Sequence, residues 1–178
     1  MITYILIGLA VLVVGLLVAA AMQPNHYRVA RSIVINASSS AVFEHCNDLA
    51  KYLAWNPFGK MDPEAKQTLT SITSGEGASI EWDGKRIGAG RMTTVESTPN
   101  QLLRHRMDFL RPMAEVAESR FAIAPAGSHT EITWSIEGSN AFMRKLMSLV
   151  INFDKMIGGS FASGLKDLKT IVESQPTI

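Results

Sequence analysis

His105 is the polar residue whose surroundings most invite chemistry. Leu103, His105, Met107 and Phe109 alternate with Arg104, Arg106 and Asp108, so in a strand the imidazole points to the apolar side while the charges face water. Two readings are open for it: a core histidine satisfied by a backbone or hydroxyl group, the commoner case, or a ligand-binding or acid–base group. Glu115 and Glu118, near the start of the next strand, could approach the mouth of a cavity, although glutamates on strand edges are commonplace. Trp82 has Ile80 on its side of the alternation and Trp134 has Ile132 and Ile136. Both indoles are therefore expected to face inward, as core or as cavity wall. Trp55, Pro57 and Phe58 mark a structural corner. The chain has nine methionines, among them Met92, Met107, Met143, Met147 and Met156; flexible thioethers suit a pocket for variable apolar shapes, and equally suit core filling.

Other chemistries lack their residues. Gly88-Ala89-Gly90 lies between strands, with no helix to present its amides to a phosphate, so no nucleotide cofactor is expected. His26, His45, Cys46, His105 and His129 show no metal-ligand spacing, and no metal is expected. No serine or cysteine has a locatable base partner, so covalent catalysis has no candidate. With 17 basic and 16 acidic residues the charges nearly cancel, which argues against a nucleic-acid partner. A single cysteine cannot form an intramolecular disulfide, and the compartment stays open on that count.

The elements that position these residues follow from periodicity. Met1 to Asn25 contains no charged side chain and Ile2 to Met22 is almost continuously aliphatic; as a helix this run reaches about 30 Å, enough to cross the hydrocarbon core. Residues 1–25 are expected to be a single-pass membrane anchor. A cleaved signal peptide is the alternative, given Ala19-Ala20-Ala21, but no basic residue precedes the run. Arg28 and Arg31 follow it, a weak positive-inside bias toward a cytoplasmic remaining chain. Tyr27 to Asn36 alternates as a strand, and Ser38 to Leu53 has helical spacing best divided into two short helices, closed by Pro57.

From Lys66 onward the helical period disappears. Strands are expected at Gln67 to Ser74, Ala78 to Asp83, Gly88 to Ser97, Leu102 to Phe109, Glu115 to Ala124 and Thr130 to Glu137, separated by Gly, Pro and Asn turns. Beyond Gly138 a long amphipathic helix carries Phe142, Leu146, Phe153, Ile157, Phe161 and Leu165 on one side, bent at Gly158-Gly159. Within it, Asn140 to Ile151 is expected to pack in the ordinary way, with a membrane-interface or lid role as the rivals. The fold class is α+β: residues 26–178 form one domain in which a curved antiparallel sheet of seven strands covers its apolar face with the last helix. One helix cannot fill a strongly curved sheet, so an apolar hollow is expected between them. Its candidate lining is Trp82, Met92, His105, Met107 and Phe109 from the first strands, Phe121 and Trp134 from the last two, and Phe153, Met156 and Phe161 from the helix.

Several stretches carry a resemblance. Ala54-Trp55-Asn56-Pro57-Phe58 with Met61-Asp62-Pro63, Gly77-Ala78-Ser79-Ile80-Glu81-Trp82 leading to Gly88-Ala89-Gly90-Arg91-Met92, and Phe109 to Pro112 come first. Thr130-Glu131-Ile132-Thr133-Trp134, Phe153 to Gly158 and Gly164 to Lys169 follow in order. Over Tyr27 to Glu173 the chain resembles the polyketide cyclase/dehydrase-type branch of the START-like, or SRPBCC, superfamily. The resemblance implies a helix-grip fold with a hydrophobic cavity; it carries no catalytic set, since ligand and chemistry differ among members. The leading expectation is a non-enzymatic binding or carrier module for a hydrophobic small molecule or lipid, tethered to the membrane by its first helix. The alternatives are a cyclase-, dehydratase- or hydrolase-type enzyme with His105 moving a proton, or an interaction domain using the sheet exterior. Ligand identity, membrane orientation and oligomeric state stay open.

Overall fold

The computed structural model describes residues 1–174; residues 175–178, the end of the expected 26–178 domain, lie outside the described residues. The uncharged amino-terminal run forms α1 (Ile2–Ala21), a helix of mean hydropathy 2.8 whose aliphatic side chains stand exposed along its length, with only Ala20 buried. A short link leads into β1 (His26–Ile35). Three short helices come next: α2 (Ser39–Asn47), α3 (Leu49–Trp55) and α4 (Pro57–Met61). Each starts on a polar cap, with Ser38, Asp48 and Asn56 side chains accepting from the N–H groups of Ala41, Ala50 and Phe58. The third helix is one more than expected. Pro57 does not merely close the segment; it opens a new helix at the first position, where a missing N–H costs nothing.

The remaining strands are β2 (Lys66–Leu69), β3 (Ser79–Asp83), β4 (Ala89–Thr98), β5 (Leu102–Arg111), β6 (Glu115–Ala126) and β7 (His129–Ser139). They form one antiparallel sheet in the order β1-β7-β6-β5-β4-β3-β2, so the meander closes back on the first strand. β2 is shorter than expected because Thr70 turns the chain into a loop: its hydroxyl donates to the Ile72 carbonyl at 2.8 Å and accepts from the Ser79 N–H at 3.0 Å. Asn47 holds the far end of that loop by accepting from the Gly75 N–H.

After β7 the structure corrects the single bent helix. Helix α5 (Phe142–Ser148) ends in a tight turn, and α6 (Phe153–Glu173) starts afresh on Asn152, whose side chain accepts from the Lys155 N–H. Gly158 and Gly159 lie within α6 without breaking it. Gly158 instead makes room: a Cβ there would strike the Arg31 guanidinium, which pairs with Asp154. At Gly164 a Cβ would lie 2.8 Å from Pro57 and 3.1 Å from Trp134. These two glycines let α6 settle onto β1 and α4.

The core lies where α2, α3 and α6 cover the sheet. Trp134 stacks on Phe161 with centroids 4.0 Å apart and an interplanar angle of 11°. Trp55, Tyr52 and Phe121 meet that pair edge-on or tilted. The two buried indole donors are satisfied: Trp55 Nε1 donates to the His45 carbonyl and Trp134 Nε1 to Ser119 Oγ. Burial pushes the Tyr52 hydroxyl and the Cys46 thiol well above their ordinary titration ranges.

Candidate functional site

The register of the sheet sorts the inner-face residues into rows. One row runs Met92–Met107–Ala117–Gly138–Tyr27, the next Thr94–His105–Ser119–Ile136–Val29, and the next Leu103–Phe121–Trp134–Arg31. Phe109 stands opposite both Gly90 and Glu115, one row nearer the end of the sheet where β1 leaves α1. Trp82 crosses Gly90, where a Cβ would lie 2.5 Å from the indole, and packs edge-on against Phe109 with centroids 5.9 Å apart. The inward direction expected for Trp82, His105, Met107, Phe109 and Trp134 is therefore the one observed.

These rows separate into a fully buried half and a half whose apolar side chains pack against the core while staying partly open to solvent. Phe121, Trp134 and Phe161 are plugged together by the aromatic cluster, and Met92 is buried beside Ile80 and Met107. The hollow expected at those positions is occupied by side chains. Toward the α1 end, Trp82, Met107 and Phe109 are only half-buried, as is Phe58 on α4. Met156, Ser160 and Gly164 recur at helical spacing on the stripe of α6 that meets α4, with Ser160 Oγ 3.8 Å from the Met61 sulfur. Met61 is 47% and Met156 52% exposed, so two thioethers stand beside the aromatic opening. Met156 thus belongs to a rim and not to a wall. Met61, placed at the end of an unforeseen helix, joins it.

His105 lies one row deeper than Met107 and is fully buried. The Thr94 hydroxyl lies 3.2 Å from its Nδ1, the Phe121 ring packs against it, and its Nε2 meets no hydrogen-bond partner. Burial holds its pKa down to about 4, so the ring is neutral at physiological pH. A neutral imidazole with one free nitrogen can accept or donate one hydrogen bond, yet Met107 stands between it and the opening.

The polar group at the opening is one that sequence alone did not assemble. Tyr27 donates to Glu115 Oε1 at 2.8 Å, and Arg144 Nη1 donates to Glu115 Oε2 at 2.7 Å. The Arg144 guanidinium also sits 3.6 Å above the Tyr27 ring centroid and 4.9 Å from that of Phe153. Phe153 is therefore engaged by Arg144 and is half-buried. Burial, reinforced by the bond to Glu115, raises the Tyr27 hydroxyl above its ordinary range. This cluster ties the starts of β1, β6 and α6 to α5. Tyr27 sits in the inward phase of β1 with Val29 and Ile33, the one sequence sign that could have pointed to it. Glu118, by contrast, faces outward and pairs with Arg104 and Arg120.

The outer face has its own concavity, about 750 Å3, bordered by Arg28, Arg104, Arg106, Glu118 and Glu137. Cross-strand pairs run across this face, Arg104 with Glu96 and Glu118 and Arg120 with Glu137, which is how a solvated sheet surface is arranged. A second concavity of about 320 Å3 lies at the β3–β4 turn, beside Asp62, Lys85 and Arg111.

Residues 26–173 match the family described as polyketide cyclase / dehydrase and lipid transport. The chain belongs to that family. Solved structures agree on the fold. A protein of Chromobacterium violaceum is similar at 18% identity with a TM-score of 0.60, the alignment covering 86% of this chain and 100% of that one. The Aha1 dimer from Colwellia psychrerythraea is similar at 15% identity and a TM-score of 0.59, covering 83% and 97%. DynU16, a protein of the dynemicin biosynthetic locus, is similar at 13% identity and 0.58, covering 85% of this chain and 48% of its own. Likeness at such identities establishes the helix-grip architecture and leaves function to the site. No curated protein matches the sequence.

Proposed function

We propose that this family member is a membrane-anchored binding or carrier module that takes a hydrophobic small molecule or lipid into the open half of its grip. The observation that carries the reading is the half-buried apolar set Trp82, Met107 and Phe109, with exposed Met61 and Met156 beside it, at the end of the sheet where β1 leaves α1. Apolar area left open on a concave face is stabilised by an apolar guest. Methionines beside it adapt to differing shapes. Helix α1 keeps this opening near the bilayer, where such guests dissolve, and Arg28 and Arg31 set the rest of the chain on the cytoplasmic side. The lipid-transport description of the family supports the same reading.

An enzymatic role for His105 has less support, because the imidazole is sealed behind Met107 with Thr94 as its partner. Mass spectrometry of the organic extract of full-length protein purified in mild detergent tests the binding reading, with Met107→Lys as the comparison. The lysine stem can follow the open wall and place its charge in the site. One apolar compound retained by the wild type and lost from the variant is expected. Lipid present equally in both belongs to the anchor, and that result counts against the proposal.

A further inference from the structure

Helix α5 is inside out. Its polar residues face the protein: Arg144 bonds Glu115, Lys145 Nζ lies 2.7 Å from Asn25 Oδ1, and Ser148 Oγ bonds the Gln23 side chain. Its apolar side turns away from that polar face, with Phe142 and Met143 exposed and Leu146 and Met147 half-buried. The turn after the helix presents Leu149, Val150 and Ile151, with Val150 88% exposed. Phe142, Met143, Leu146, Met147 and Val150 recur at the three- and four-residue spacing of one helical stripe. That turn is ordered by hydrogen bonds, the Val150 and Ile151 N–H groups both donating to the Met147 carbonyl. Asn140 to Asn152 contains no acidic residue, and its two cations are the ones drawn inward.

The position of this helix says what covers the stripe. Helix α5 packs against the end of α1, and Asn140 binds the Pro24 and Asn25 carbonyls, so it sits level with the residues that leave the apolar span. With α1 across the bilayer, that level is the interface between headgroups and acyl chains, where an outward apolar stripe is covered by lipid while the inward polar groups keep their protein partners. We infer that α5 and the Leu149–Ile151 turn form a second membrane contact, a foot that rests in the same bilayer α1 crosses. The inference rests on the anchored reading of α1 and deepens it. Arg144 links the foot to Tyr27 and Glu115 at the opening, so the foot fixes the site against the lipid surface and gives an apolar guest a passage that avoids bulk water.

Fluorophores attached at Leu9→Cys, Val150→Cys and Ser128→Cys in the full-length protein test this in phosphatidylcholine nanodiscs. Cys46 is buried and does not compete for the label. Ser128 lies in the β6–β7 turn, at the end of the sheet away from α1. Doxyl groups at carbon 5 or carbon 12 of the lipid chain, and aqueous iodide, are the quenchers. Val150 is expected to be quenched several-fold more by the 5-doxyl lipid than Ser128 is, and more by 5-doxyl than by 12-doxyl, while Leu9 responds to 12-doxyl. Val150 open to iodide with Leu9 still quenched by lipid overturns the foot and leaves the anchor standing. Val150 shielded from both iodide and lipid means a protein surface covers it, which also overturns the foot. A Leu9 label untouched by lipid removes the anchor and the foot together.

Discussion

The buried imidazole makes His105 a pH-dependent element of stability. With its folded-state pKa held at about 4 against an ordinary 6.5, the unfolded chain binds a proton that the folded chain refuses between those values. Stability from this group is complete above pH 6.5 and falls as pH drops toward 4. At about 1.4 kcal/mol per pH unit of separation, the loss is about 3 kcal/mol. Urea titrations at pH 7 and pH 4 on the wild type and His105→Gln should show that difference as extra acid sensitivity in the wild type; equal sensitivity would contradict it. Glu115 and Arg144 form the other residue-scale test. Their side chains are 17% and 11% exposed, so removing either leaves a nearly buried charge unpaired, at a cost of about 3 kcal/mol. Glu115→Ala and Arg144→Ala should each show a loss of that order, and the double variant should lose less than the two combined.

At the scale of elements, α6 depends on a glycine for contact, not for bending. Gly158→Val should push Arg31 away from Asp154 and cost about 1–3 kcal/mol by overpacking. Gly159 faces open space, so Gly159→Ala should stabilise the helix by about 0.5–1 kcal/mol. A pair of thermal melts separates these outcomes, and a matching loss at both positions would show that the segment needs glycine for another reason. How far the sequence could be read follows the same division. Strand alternation placed Trp82, His105 and Trp134 on the correct face, because side-chain direction in a strand is a local property. The split between α5 and α6 was hidden, since the apolar residues from Phe142 to Val172 fit one continuous helical period. The cap at Asn152 was its only local sign. Tyr27, Glu115 and Arg144 come together across 88 and 29 residues of chain, a meeting that only the pairing of β1 with β7 and of β7 with β6 brings about. The interior differs from the expected hollow in one respect: two aromatic rings from α3, Tyr52 and Trp55, fill the part of it around Phe121 and Trp134.

On the scale of the whole molecule, the fold is polarised along the sheet. One end holds the aromatic plug beneath α2 and α3; the other holds the apolar opening, the Tyr27–Glu115–Arg144 cluster, α5 and the exit from α1. The features suited to an apolar guest thus gather at the end where β1 leaves α1. Photo-crosslinking with a diazirine fatty acid in membranes carrying the full-length protein, followed by peptide mapping, tests this arrangement most directly. The tryptic peptide from Met107 to Arg120, which runs through the uncleaved Arg111–Pro112 bond, and the stretch around Trp82 should carry the adduct, and an excess of unlabelled fatty acid should remove it. Adducts confined to residues of α1, unaffected by competitor, would show that the grip holds no apolar guest.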